Sequence, residues 1–129
     1  NLNQVITRFP SSKYAKDSYQ KIILVKSNIA AKHMTIARFY QKEKKYTAAL
    51  NRYTIVVEDF SETKFTPEAL YRISEIYYSI GMIEESSKTA AVLGFNYPKS
   101  EWYKFSYNNL EKKDKGSIFS NSLDKIFNK

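Results

Sequence analysis

Catalysis and metal binding need nucleophiles, titratable groups or ligands that converge, and this chain holds little such material. It has one histidine, His33, and no cysteine, which removes thiolate catalysis, disulfides and cysteine metal sites together. None of its three glycines belongs to a phosphate-binding loop motif. The paired acids Glu58/Asp59 and Glu84/Glu85 are adjacent in sequence, so on a helix they point about 100° apart and do not converge as general acid and base. They read as solvated faces. His33 falls on an apolar stripe, where a hydrogen-bonded packing histidine is expected. The sequence therefore predicts no catalytic residue, no metal ligand and no cofactor.

Charge and aromatic side chains are abundant instead. The formal charge is +8, and residues 1 to 66 carry 12 Lys/Arg against 5 Asp/Glu, while residues 67 to 129 carry 9 against 8. Such a field suits an acidic partner, which includes nucleic acid, an anionic membrane or an acidic protein surface. A coding bias toward Lys, Asn, Ile, Tyr and Phe gives the same composition without any partner. The 11 Tyr and 8 Phe would serve base stacking only if their rings were exposed, and most fall at core positions of the pattern below. No apolar run approaches the roughly 18 residues of a spanning helix. The opening "NLNQVITRF" lacks the basic start and apolar block of a signal peptide.

The elements that position these residues are helices. Three Gly and three Pro in 129 residues leave little material for hairpin turns. Tyr46, Ala49, Leu50, Tyr53, Val56, Val57 and Phe60 form one apolar stripe, and Leu70, Ile73, Ile76, Tyr77 and Ile80 another, closed by Gly81 as a C-terminal cap. From Ser12 to about Lys44 there is neither Gly nor Pro, and Ile22, Val25, Ile29, His33, Ile36 and Tyr40 keep helical spacing. Helices are expected near 1–9, 12–44, 46–60, 67–80, 83–95 and 100–112.

Three segments, "RFPSSKY", "DFSETKF" and "NYPKSEW", repeat one pattern. An offset of 51 lays Leu2, Val5, Ile6 and Phe9 on Tyr53, Val56, Val57 and Phe60. An offset of 37 lays Ala37, Tyr40, Ala49, Val56, Phe60 and Thr63 on Ser74, Tyr77, Ser86, Leu93, Tyr97 and Ser100. A period above about 30 built from two helices marks a helical-repeat array. The three segments are then joints, where an aromatic closes one helix and a hydroxyl caps the next. Thr66 before Pro67 fits such an N-cap. Small residues must face each other inside each antiparallel pair, Ala37 against Ala49 and Ser74 against Ser86.

The fold class expected is an all-α solenoid of the tetratricopeptide (TPR) type. Residues 1–116 comprise a partial unit at 1–10, the long helix 12–44, units at about 30–63 and 67–100, and a final helix at 100–112. A tail at 117–129, with Phe119, Leu123, Ile126 and Phe127 at helical spacing, is expected to dock on that last helix.

The stretch "RFYQKEKKYTAALNRYTIVVEDFSETKFTPEALYRISEIYYSIGMIEES", followed by "AAVLGFNYPKSEWYK", resembles the C-terminal half of the BamD family. These are TPR lipoproteins of the outer-membrane β-barrel assembly (BAM) complex of Gram-negative bacteria. The likeness covers residues 1 to about 110. It implies a periplasmic protein, attached to the inner face of the outer membrane through an N-terminal lipidated Cys absent from this chain. The implied role is a non-catalytic scaffold that holds the POTRA domains of BamA beside other BAM lipoproteins, monomeric on its own. On the same resemblance Arg52 of the "NR" pair, with Asn51, Lys44 and Lys45, is expected on the partner-binding face, while Ala37, Tyr40, Ala49, Tyr53, Ser74, Tyr77 and Ser86 pack the repeats. Two other functions fit the residues: a TPR adaptor clamping an acidic peptide in its groove, and nonspecific nucleic-acid binding through the basic first half.

Overall fold

The computed structural model describes residues 13–113, with side chains through residue 108, and within them every regular element is an α-helix. They are α1 (Lys13–Lys42), α2 (Tyr46–Asp59), α3 (Thr66–Ser79), α4 (Ile83–Asn96) and α5 (Glu101–Lys113). The expected helix at 1–9 and the docked tail at 117–129 lie outside the described residues. No described helix is long and apolar enough to cross a membrane.

Three residues join α1 to α2 and three join α3 to α4, so each pair lies antiparallel, as short helix connections require. α1 packs on α2, α3 on α4, and α2 on α3, while α5 closes the far end against α3 and α4. Side chains of α1 also reach α3, and those of α3 reach α5. The first helices α1, α3 and α5 thus form one layer, and α2 and α4 the other.

The two intra-pair turns are built alike. After α1, the Lys44 N–H donates to the Gln41 carbonyl at 3.0 Å and Lys45 to Tyr40 at 2.8 Å; after α3, Gly81 donates to Tyr78 at 3.1 Å and Met82 to Tyr77 at 2.8 Å. Both turns need one left-handed residue. Gly81 takes it at φ +86°, and Lys44 takes the equivalent place at φ 61°. The joints between pairs agree as well: Phe60 donates to Val56 and Thr63 to Phe60, as Tyr97 donates to Leu93 and Ser100 to Tyr97.

Capping differs between the joints. The Ser100 hydroxyl accepts the Trp102 N–H at 3.1 Å, capping α5. Thr66 is not the cap the sequence suggested. It lies inside α3, after the cap residue Phe65, and its hydroxyl reaches back to the carbonyls of Phe60 at 3.2 Å and Ser61 at 3.0 Å. The tight joint brings these carbonyls within reach of the hydroxyl, which donates to them instead of accepting a helix N–H.

The main core joins Ala30, Met34 and Ala37 of α1 to Ala49, Tyr53 and Val56 of α2 and Ala69, Ile73 and Ile76 of α3. This corrects the stripe read along α1. Val25 and Ile29 are 56% and 39% exposed, whereas Ala30, Met34 and Ala37 face α2 and α3. Helices crossing closely admit small side chains at the contact, so alanines outcompete larger apolar residues for that face. A second cluster joins Leu70 and Tyr71 of α3 to Leu93 of α4, with Tyr97, Trp102 and Tyr103 packed against it.

Candidate protein-interaction surface

Where the helices of each pair cross, side chains are as small as close approach demands. Ala37 and Ala49 are fully buried. In the second pair the Ser74 hydroxyl donates to the Ser86 carbonyl at 3.0 Å and the Ser86 hydroxyl to the Ser74 carbonyl at 2.8 Å. These bonds satisfy two polar groups that burial would otherwise penalise. Tyr40 and Tyr77 are half-buried against the main core, and Tyr53 is fully buried within it.

A polar network crosses the first-helix layer. Arg38 on α1 grips Glu68 on α3 with two bonds, Nε to Oε2 at 2.9 Å and Nη2 to Oε1 at 2.7 Å. That fork fixes the relative position of two helices whose pairing residues stand 30 positions apart. The bond to Glu68 holds the Arg38 guanidinium above its ordinary range, against partial desolvation. Gln41 donates to Glu75 at 2.7 Å and accepts the Tyr53 hydroxyl at 2.8 Å. Burial, more than any neighbouring charge, pushes Tyr53 up to about 12. Arg72 lies 3.5 Å from Glu68 and 3.3 Å from Glu75, with its guanidinium about 5.5 Å from the Tyr71 and Trp102 rings. The carboxylates and arginines of this layer therefore neutralise each other. No spacing in the sequence pointed to Arg38, Glu68 or Glu75, because their pairing depends on how the helices stack.

The four residues expected on the binding face stand at the start of the other layer. Lys44 and Lys45 form the exposed turn before α2, Asn51 is exposed on α2, and Arg52 is half-buried two turns beyond Lys45. One Arg52 Nη donates to Nδ1 of His33 at 3.2 Å. The His33 ring is tilted against Phe60 with centroids 5.8 Å apart. This explains the histidine on the apolar helix face: it buttresses an arginine across the pair. Among the described residues no carboxylate lies within ion-pair distance of Arg52, Lys44 or Lys45, whereas Lys26, Arg38 and Lys88 each have one and Arg72 has two.

Among the described residues no group of three or more His, Cys, Asp or Glu is placed to hold a metal ion. Glu58, Asp59 and Glu84 are exposed, and Glu85 pairs with Lys88 one turn on.

A family model described as an outer membrane lipoprotein, YfiO, matches residues 1–93. Several curated relatives bear the name outer membrane protein assembly factor BamD. That of Rickettsia prowazekii (strain Madrid E) is 46% identical over 107 residues, covering 83% of this chain and 43% of the relative. That of Caulobacter vibrioides is 42% identical over 106 residues, covering 82% and 35%. That of Neisseria meningitidis serogroup A is 31% identical over 97 residues, covering 75% and 36%. The chain thus spans less than half the length of each of these relatives.

Proposed function

Because this chain belongs to the YfiO family of outer membrane lipoproteins, we propose that it is part of a non-catalytic scaffold in the assembly of outer-membrane β-barrel proteins. The scaffold works at the periplasmic face of the outer membrane of a Gram-negative bacterium. Its direct partner is a POTRA domain of BamA, bound through Arg52 together with Asn51, Lys44 and Lys45.

One observation carries this reading: Arg52 is positioned, and among the described residues no carboxylate compensates it. His33 takes one of its N–H groups, and the ring contact with Phe60 holds that imidazole in place. The other N–H groups of the guanidinium remain for a carboxylate, in the forked geometry that lysine cannot supply. Arg38 and Arg72 already carry Glu68 and Glu75 as partners, which disfavours the first-helix layer as a clamp for an acidic peptide.

A double-mutant cycle between Arg52→Ala and the acidic residues of the POTRA domain tests the reading. A desolvated interfacial pair couples by more than about 1.5 kcal/mol. Coupling near zero for every acidic residue, with Arg52→Ala still folded, makes Arg52 ordinary surface. The contact is then elsewhere.

A further inference from the structure

The bond that positions Arg52 exists for only one charge state of His33. A guanidinium has N–H donors, no acceptor, and a charge that it does not lose. For the Arg52 Nη to donate to Nδ1 at 3.2 Å, Nδ1 must offer a lone pair, which it does in a neutral imidazole protonated at Nε2. A protonated imidazole carries N–H on both ring nitrogens. Donor would then face donor across that 3.2 Å, between two positive charges. Turning the ring over gives no escape, because a ring carbon then takes the place of Nδ1, and Phe60 packs against the ring with centroids 5.8 Å apart.

The charged groups around the half-buried His33 do not favour an imidazolium. From α2 it meets Arg52. On α1, Lys26 lies about two turns earlier on the same face and is paired with Glu62 of the joint at 3.0 Å. Asp59, the last residue of α2, is exposed. The acids of α3 that reach α1 are engaged elsewhere, Glu68 with Arg38 and Glu75 with Gln41. Among the described residues no carboxylate lies within ion-pair distance of His33.

We infer that His33 is the positioning residue of the partner-binding face: as a neutral imidazole it holds the Arg52 guanidinium ready for a partner's carboxylate, and on protonation it lets go, so that docking weakens in acid. This rests on the reading that Arg52 meets a carboxylate of the POTRA domain. Imidazole is the side chain whose charge changes between about pH 5 and 8, and His33 is the only one in the chain. Aspartates and glutamates of a partner ordinarily stay ionised over that range, so the response belongs to the arginine's support and not to its target. Linkage sets the sign: a complex that requires the neutral ring loses affinity as the free chain takes up the proton.

Two measurements on the full chain test this. In the free, isotope-labelled chain the Nε–Hε resonance of Arg52, assigned by its loss in Arg52→Lys, should move together with the His33 ring protons between about pH 8 and 5. It should stay still in His33→Asn, whose amide oxygen stands near the place of Nδ1 and does not titrate. With the isolated POTRA domain, Kd for the unaltered chain should rise at least about fivefold over the same range. His33→Phe, with unchanged helix content, keeps a ring beside Phe60 but no acceptor and should bind at high pH as weakly as the unaltered chain binds in acid. His33→Asn should restore most of that loss and show no pH slope. The inference is overturned by an Arg52 resonance indifferent to His33, by affinity that rises in acid, which makes the imidazolium a second cation on the carboxylate, or by the same slope in His33→Asn, which puts the titrating group on the partner. It is equally overturned if His33→Phe binds as well as the unaltered chain at high pH, which makes His33 a packing residue. If the domain binds Arg52→Ala unchanged while the resonance still follows His33, the POTRA reading alone fails and the hold of His33 on Arg52 is upheld.

Discussion

At Tyr53 a single hydroxyl ties burial to pH. The ring is wholly enclosed and its O–H donates to Gln41 at 2.8 Å, so the phenolate, which cannot donate, is disfavoured in the folded state. The raised value of about 12 has desolvation as its first cause. Below about pH 10, where a free tyrosine is neutral, folded and unfolded chains are protonated alike and the contribution is intact. Between about pH 10 and 12 the unfolded chain ionises first, and stability is lost, by about 2 to 3 kcal/mol once the folded phenol also titrates. Tyr53→Phe should cost about 1 kcal/mol at pH 8 through the missing bond, and the gap should close and then reverse above about pH 11. Urea unfolding of both chains at the two pH values checks this; a constant gap shows that Tyr53 titrates as it would in water. Arg52 illustrates what sequence could and could not say of a residue. Its place beside buried Tyr53 is legible from the stripe, but its contact with His33 comes from 19 positions away and has no local signal.

Helices were legible because their signals are local. Stripes, the near absence of Gly and Pro, and Gly81 place the ends of α2 to α5 within a few residues of those observed. The buried face of α1 was not legible. Hydropathy weights Val25 and Ile29 above Ala30 and Ala37, while the crossing with α2 selects for size. Two predictions belong to this scale. Lys44 holds, at φ 61°, the left-handed conformation that Gly81 holds in the next pair, and a side chain there costs about 1 kcal/mol. Lys44→Gly should therefore stabilise the fold by about 0.5 to 1 kcal/mol. Gly81→Ala should destabilise it by about 1 kcal/mol, even though an added Cβ meets nothing within 4 Å. Equal and opposite shifts in thermal midpoint are the readout, and no change in either variant removes the conformational cost. The second concerns the crossings. Ser86→Ala strips the Ser74 carbonyl of its buried donor and should cost about 1 kcal/mol, whereas Ser74→Ala with Ser86→Ala, which also strips the Ser86 carbonyl, should cost less than the sum of the two single changes, because each single change already loses the contact between the two hydroxyls at 3.1 Å. A double mutant whose loss equals the sum of the singles would show the serines acting independently.

Across the whole molecule, α3 is the helix on which the rest depends. Surface helices bury one stripe, but α3 buries Ala69, Ile73 and Ile76 in the main core and Leu70 and Tyr71 in the second cluster. It also supplies Glu68 and Glu75 to the network reaching α1. In a repeat array stability is close to a sum of units and nearest-neighbour interfaces, so a lesion's reach depends on which interfaces it touches. Ile76 is fully enclosed, and Ile76→Ala should cost about 2 to 5 kcal/mol. Because it loosens α3 itself, it should accelerate amide exchange on both sides, in α2 and the second half of α1 as well as in α4 and α5. Trp102→Ala removes a half-buried ring that packs on Tyr71 at 5.4 Å and touches only the last interface. Its effect should be large in α5, smaller in α3 and α4, and absent from α1 and α2. Hydrogen exchange read helix by helix distinguishes the two cases, with α3 expected to be the slowest helix in the unaltered chain. If Trp102→Ala accelerates α1 and α2 as much as α5, the chain opens as one cooperative block and nearest-neighbour coupling does not describe it.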